Sequence, residues 1–144
     1  ARLAAGRGNA AVLALLRAVK VDPENWEVHS ALGIGYDLVR EAGPAADSYR
    51  RALALSPGNP VVLNNSAISL AQRGEIDAAI KVLESVPNLA RSKPQIRQNL
   101  ALFHGIKGNF KQAERYAKLD LSDDMVKSNM AYFRRFQEKP VTIK

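Results

Sequence analysis

The sequence predicts an all-α fold in which antiparallel helix pairs stack side by side into a solenoid. Three observations support this prediction. The chain matches itself at an offset of 34 residues, apolar residues recur at three- and four-residue spacings within each unit, and Gly, Pro or Asn separate the apolar stretches. A repeat of this length is typical of solenoids, whose units bury their apolar faces only against neighbouring units.

The 34-residue period is clearest in the small residues. Successive offsets superpose Ala45, Ala79 and Ala113. A second set coincides in the same way: Gly33, Ala67 and Ala101. We expect both sets to lie where the two helices of a pair cross, because a larger side chain there would hold the backbones apart.

The chain is predicted to be a single domain, residues 1–144, that begins with a partial unit over 1–25. We expect this unit to contain a short helix at Ala1–Ala5 and a second helix at about 9–20. Three complete units then cover 26–59, 60–93 and 94–121. Their helices are predicted near 26–40, 45–55, 60–73, 76–86, 94–107 and 110–119.

A further helix is predicted at 123–137, within a capping segment that covers 122–144. Ser122 is its expected N-cap, because a serine hydroxyl can accept a hydrogen bond from the first free backbone N–H groups. Earlier in the chain, Val86-Pro87 is expected to end the second helix of the second unit early. Residues 88–93 replace the usual turn after it.

Charge and composition exclude several classes of protein. There is no cysteine, so disulfides and thiolate metal sites are excluded, and no apolar run approaches the ~20 residues of a membrane-spanning helix. The net charge of +7 lies entirely in the second half: residues 87–144 carry twelve basic and five acidic side chains. This excess is compatible with acidic protein, anionic lipid or nucleic acid. Nucleic acid is not expected, because aromatic residues do not interleave with the charges.

A signature of known proteins lies in His29–Pro57. The matching residues are Leu32, Gly33, Tyr36, Ala45, Tyr49, Ala52 and Pro57. They resemble the tetratricopeptide repeat (TPR), whose pattern is W-x2-L-G-x2-Y followed by A-x3-F and P; His29 stands in the tryptophan position. The resemblance implies a right-handed superhelix of helix pairs, a non-catalytic protein-binding fold in which the first helix of each pair lines a concave face.

A narrower resemblance lies near the end of the chain. Residues 96–121, followed by Ser128-Asn129-Met130-Ala131-Tyr132, resemble the TPR family of tight-adherence (Flp-type) pilus loci, TadD. This resemblance implies a pilus or secretion assembly factor at the bacterial cell envelope, on the periplasmic face of the outer membrane. In that family the protein is a lipoprotein, and its lipidated cysteine would precede Ala1. Without the resemblance, the sequence leaves the compartment undetermined, and a cytoplasmic location is the alternative.

The predicted concave face is made of amide and aliphatic side chains with one carboxylate. The residues are Ser30, Ile34, Asp37, Asn64, Asn65, Ile68, Gln72, Gln98, Asn99, Leu102 and Ile106. Asn65 and Asn99 occupy equivalent places, and with Asn129 they can form a ladder that holds the backbone of an extended peptide. The alternative is that these amides are surface groups bonded to water. The TPR carboxylate clamp is matched only at Asn65, so recognition of a chaperone C-terminal tail is not expected.

A run of basic residues at helical spacing lies in the third unit: Lys107, Lys111, Arg115 and Lys118, preceded by Arg91, Lys93 and Arg97. Such runs are usually solvated helix faces. The alternative is a convex patch that meets an acidic partner or anionic lipid headgroups.

No constellation of catalytic residues is evident, and no metal or cofactor is predicted. We interpret His29 and His104 as core residues, and Asp120, Asp123 and Asp124 as helix caps. The predicted function is therefore protein binding. One alternative is a self-associating structural or regulatory protein, a possible homodimer, that docks through Met130, Tyr132, Phe133 and Phe136 of the last helix. A hydrolase with an unusual site is a third class.

Overall fold

The structure, a computed structural model, describes residues 2–138, and all regular elements in this range are helical. Residues 2–138 contain eight α-helices and one short 3-10 helix. Their bounds are α1 (Arg2–Val21), α2 (Trp26–Leu38), α3 (Ala42–Leu55), α4 (Pro60–Gln72), α5 (Ile76–Glu84), the 3-10 helix (Leu89–Arg91), α6 (Pro94–Lys107), α7 (Phe110–Ala117) and α8 (Asp123–Glu138). The all-α superhelix of helix pairs is confirmed. The predicted tail after α8 lies outside the described residues.

The first helix differs from the prediction. The short helix and its separate partner are one continuous helix, α1, over Arg2–Val21. The continuous helix contains Gly6 and Gly8, although a glycine within a helix costs about 1 kcal/mol relative to alanine. The structure shows what Gly8 allows: a Cβ atom there would lie 2.8 Å from Cγ1 of Val39, so α1 approaches the end of α2 closely.

The start of α3 also differs from the prediction. The helix begins at Ala42 rather than near residue 45, and it includes Pro44 in its first turn. Proline is tolerated there because the first backbone N–H groups of a helix have no partner within the helix. The early end of α5 at Glu84 agrees with the prediction, and Ser122 does cap α8: its hydroxyl accepts a hydrogen bond from the backbone N–H of Met125 at 3.3 Å.

Within each pair, small residues lie at the contact between the two helices as predicted. Ala45, Ala79 and Ala113 are fully buried. At Gly33 the approach is close, since a Cβ atom at this position would lie only 2.6 Å from the ring of Tyr49. A side chain at Gly33 would therefore require the ring of Tyr49 to move.

Between pairs, the incoming first helix fills the interface with three apolar side chains. In α6 these are Ile96, Leu100 and Phe103. In α8 they are Val126, Met130 and Phe133. Each residue of α8 lies thirty positions after its counterpart in α6, and it packs against the pair α6–α7 as its counterpart packs against α4–α5. The last helix thus joins the stack as a further first helix.

A buried arginine holds the irregular segment between α5 and α6. The guanidinium of Arg97 donates to the carbonyl oxygens of Leu89 at 2.9 Å and Ser92 at 2.7 Å. It also donates to the carboxylate of Asp120 at 2.9 and 2.6 Å, and the hydrogen bond with Asp120 raises the pKa of Arg97. Two predictions were therefore wrong: Arg97 is not part of an exposed basic run, and Asp120 anchors Arg97 instead of capping a helix.

The lengths and apolar content of the helices are also relevant to membranes. Of the helices in residues 2–138, none combines the length and the apolar character needed to traverse a bilayer.

Candidate protein-binding face

The first helices of the three complete pairs expose apolar side chains in one register. Ile34 of α2, Ile68 of α4 and Leu102 of α6 are separated by one repeat each, and the outer two are 43% and 41% exposed. Ile68 is half-buried. A second exposed row runs beside them through Leu38, Gln72 and Ile106. We call these two rows, with the amide residues beside them, the first-helix face.

The asparagines of this face connect neighbouring first helices. The Nδ2 group of Asn65 donates to Oγ of Ser30 at 3.1 Å, and Nδ2 of Asn99 donates to Oδ1 of Asn64 at 2.9 Å. Ser30 is buried and so lies behind the face rather than on it. The Oδ1 atoms of Asn65 and Asn99 accept no hydrogen bond from the described residues. The proposed contact of these asparagines with a peptide remains a prediction.

The carboxylate of Asp37 is occupied within the structure. It accepts hydrogen bonds from the hydroxyl groups of Tyr49 and Ser69, both at 2.8 Å, and the guanidinium of Arg73 lies 3.7 Å away. Burial, together with the bond to Asp37, raises the pKa of Tyr49 far above its usual range. Sequence reasoning missed this network. A signal was present, because the residues at the equivalent position in the next two units are small, Ala71 and Gly105.

The last helix contributes Met125 and Tyr132, which the sequence analysis did not assign to this face, beside Asn129 of the predicted ladder. Met125, Asn129 and Tyr132 of α8 line a groove with Gln98 and Leu102 of α6, with a volume of about 370 Å³. The signal that could have identified them is the thirty-residue offset that relates α8 to α6. The predicted capping role is divided within α8: Met130 and Phe133 are buried, whereas Tyr132 and Phe136 are exposed.

The four residues of the predicted basic patch have different surroundings. Lys107 forms an ion pair with Asp77, and Lys118 forms one with Glu114 of its own helix at 2.8 Å. Lys111 and Arg115 are exposed, and neither has an ion pair within the described part of the chain. Exposed ion pairs of this kind contribute little to stability, and the binding of an acidic partner or anionic lipid by this patch remains a prediction.

Both histidines are core residues, as predicted. Nε2 of His29 lies 2.8 Å from the carbonyl oxygen of Pro23. His104 stacks on Tyr116, with 5.7 Å between the ring centroids, and its Nε2 has no hydrogen-bond partner among the described residues. Burial lowers the pKa of His104. In the described residues, no group of three or more His, Asp or Glu side chains is placed to hold a metal ion.

Comparison with known proteins bears on both the repeat and the function. Residues 41–103 match the family model of the tetratricopeptide repeat. The type IV pilus assembly protein PilF of Pseudomonas aeruginosa is 32% identical over 100 residues, which correspond to 67% of this chain and 40% of PilF. The chain therefore spans less than half the length of this curated relative.

Solved structures of repeat proteins have the same architecture. Pseudomonas aeruginosa PilF superposes with a TM-score of 0.73 at 25% identity, over 92% of this chain and 63% of the PilF chain. A thermophilic TPR protein of Thermus thermophilus has a TM-score of 0.72 at 19% identity, over 90% of this chain and 74% of its own. MamA has a TM-score of 0.67 at 20% identity, covering 95% of this chain and 70% of its own. The last two likenesses concern the fold alone.

Proposed function

Because this chain belongs to the tetratricopeptide-repeat family, we propose that it is a non-catalytic scaffold that holds a segment of a partner protein on its first-helix face. The observation that carries this proposal is the aliphatic row Ile34, Ile68 and Leu102, repeated in register on three successive first helices, with its outer two members exposed and its middle member half-buried. Contiguous exposed apolar side chains are typical of surfaces that bind other proteins. In the family, this is the concave face of the superhelix.

The polar groups of the face favour binding over chemistry. Asp37 is the single carboxylate of the predicted set, and it already accepts hydrogen bonds from two hydroxyl groups. The remaining polar residues are amides and one buried serine. Amides can donate to and accept from a peptide backbone, but they supply no general base and no nucleophile.

The finer part of the proposal is a role in pilus assembly. It is supported by the 32% identity to a protein named for type IV pilus assembly. The assignment to a tight-adherence locus, and with it the lipoprotein and the location at the cell envelope, depends on the resemblance of residues 96–132 to the TadD family. Self-association is less favoured, because Met130 and Phe133 are buried within their own solenoid.

Photo-crosslinking in the organism of origin tests the scaffold. Benzoylphenylalanine is placed at Ile34 or Leu102 on the first-helix face and, as a control, at Lys81, which is exposed on the second helix α5. We expect a discrete adduct from the first two positions that is absent from Lys81. The adduct at Leu102 should weaken when Ile68→Asp is added. Adducts that are identical from both faces, or missing from both, would contradict the scaffold.

Deletion of the encoding gene tests the finer part separately. We expect surface pili to be lost, and to return with the wild-type gene but not with a gene carrying Ile68→Asp and Leu102→Asp. Normal piliation in the deletion strain would contradict the role in pilus assembly. If the crosslinks in the parent strain are nevertheless observed, the scaffold function stands.

A further inference from the structure

The last helix continues the first-helix face over a fourth helix. The offset of thirty residues relates the buried side chains of α8 to those of α6, and it relates their exposed side chains as well. On α8 the exposed residues are Met125, Asn129, Tyr132 and Phe136. Their counterparts on α6 are Gln95, Asn99, Leu102 and Ile106. The row that begins at Ile34 therefore ends at Tyr132, which is 62% exposed.

This part of the face lies away from the side on which a second helix would pack. In α6, that side carries Ala101 and His104, which face α7. The counterparts in α8 are Ala131 and Arg134, and both are exposed. A helix that followed α8 in the usual arrangement would cover Ala131 and leave Tyr132 open.

Among the described residues, those that line the groove between α6 and α8 include no charged side chain. This is unexpected in a region where residues 87–144 carry twelve basic and five acidic side chains. Leu102, Met125 and Tyr132 form its apolar wall and are 41%, 54% and 62% exposed. A charged side chain that entered the groove would lose hydration without gaining an ionic partner, which costs free energy. The groove is therefore suited to an uncharged occupant.

Two amides stand beside the apolar wall. Gln98 of α6 and Asn129 of α8 line the groove and are exposed, and neither has a hydrogen-bond partner within residues 2–138. An extended segment has free backbone N–H and C=O groups that such amides can bind. The opposite end of the face differs, because its groove is lined by Asp37 and Arg40 as well as Ile34.

We infer that the groove between α6 and α8 is the anchoring subsite of the face, and that it takes an aromatic or branched aliphatic side chain from an uncharged, extended segment of the partner protein. The inference rests on the proposed function, since it specifies which part of the partner is held and where. The opposite end of the face, around Ile34 and Asp37, then orients the segment and contributes less to affinity.

The test uses linear peptides selected from a random phage-displayed library against the purified chain, then synthesised with a fluorescent label. Affinities are measured by fluorescence anisotropy for the wild type, for the groove variants Leu102→Asp and Tyr132→Asp, and for Ile34→Asp and Leu38→Asp at the opposite end of the face. The matched control is Leu119→Asp, since Leu119 is 57% exposed outside the groove. Circular dichroism confirms that each variant is folded, and the milder variant Tyr132→Ala replaces Tyr132→Asp where it is not.

We expect the selected peptides to share an apolar residue within an uncharged stretch. Affinity should fall at least tenfold in the two groove variants, as expected when one large apolar side chain is no longer buried. It should change less than about twofold in Leu119→Asp, because surface substitutions away from a contact have small effects.

Other outcomes would overturn the inference in distinguishable ways. Peptides whose affinity depends on Ile34 and Leu38 but not on the groove would place the anchoring subsite at the opposite end of the face. The proposed scaffold function would then stand. A consensus rich in charged residues would refute the proposed chemistry of the occupant. If light scattering shows a dimer of the wild type and a monomer of Tyr132→Asp, the occupant of the groove is a second copy of this chain. Peptides insensitive to every substitution on the face would contradict the anchor and the scaffold together.

Discussion

Successive interfaces of this solenoid fill the same three positions with different chemistry. Between the first and second complete pairs the residues are Asp37, Tyr49 and Ser69, which are joined by hydrogen bonds. Between the second and third pairs they are Ala71, Leu83 and Phe103. Between the third pair and α8 they are Gly105, Ala117 and Phe133. The comparison shows that the stacking of pairs accepts either a polar or an apolar filling, provided that the space is occupied and the polar groups are paired.

An aromatic ring lies against a glycine in the first and last of these interfaces, but the ring comes from different helices. Tyr49 belongs to the second helix of its own pair, and its ring lies against Gly33. Phe133 belongs to the incoming helix, and its ring lies against Gly105, where a Cβ atom would be 2.6 Å away. A ring from either side fills the space because interiors are packed to a nearly constant density.

The largest expected effect comes from emptying an apolar interface. Phe103→Ala should reduce the free energy of unfolding by about 3–5 kcal/mol, because it removes a buried aromatic side chain and leaves a cavity. Phe136→Ala is the control, since Phe136 is 46% exposed, and it should cost about 1 kcal/mol or less. Urea unfolding followed by circular dichroism measures both. Similar losses for the two variants would contradict the assignment of Phe103 to the core.

Substitutions in the polar interface are expected to have the next largest effect on the free energy of unfolding. Asp37→Ala should cost about 2–3 kcal/mol, because two hydrogen bonds to a charged group are lost and the hydroxyl group of Tyr49 is left without an acceptor. A double-mutant cycle with Tyr49→Phe should show coupling, since the second substitution removes a bond that no longer exists. Tyr116→Phe is the control, because its hydroxyl donates to Glu84 at an exposed site. If the losses of unfolding free energy in Asp37→Ala and Tyr49→Phe add up in the double variant, the hydrogen-bond network is refuted.

Converting the polar interface into the apolar one is a sharper test. The residues of the second interface can be transplanted as Gly33→Ala, Asp37→Ala, Tyr49→Leu and Ser69→Phe. Replacing a buried polar network by packed apolar residues of similar volume is often neutral or stabilising. We therefore expect urea unfolding to give a stability within about 1 kcal/mol of the wild type. A variant no more stable than Asp37→Ala alone would show that this interface requires its polar filling.

The smallest expected effect concerns pH and a fourth set of equivalent positions: Tyr36, Leu70 and His104. The pKa of His104 is lowered in the folded chain, first by burial. As the pH falls below the unfolded value of about 6.5, the unfolded chain binds a proton that the folded chain disfavours, so stability decreases. His104→Leu, which copies the second repeat, should flatten the dependence of urea unfolding on pH between neutral and mildly acidic solution. An unchanged slope would assign the acid sensitivity to other groups.

The sequence predicted the repeat, the pairing of helices and the small residues at their crossings, because these depend on local periodicity. It predicted less of the candidate site. Asp37 was expected to face a ligand, but its partners Tyr49 and Ser69 lie 12 and 32 residues away on other helices. Arg97 was grouped with exposed cations, although Asp120 lies 23 residues further on and binds it in the interior. Spacing along one helix does not reveal partners on another.

The sequence by itself determined that this chain folds into helix pairs in a fixed order, since apolar spacing and small residues act within one or two turns of the chain. Only the tertiary structure decided which polar side chains are used internally and which remain for a ligand. It also decided that α8 enters the stack thirty residues after α6, which adds Met125 and Tyr132 to the face. The physical reason is that hydrogen bonds and contacts between pairs depend on how the helices stack in space.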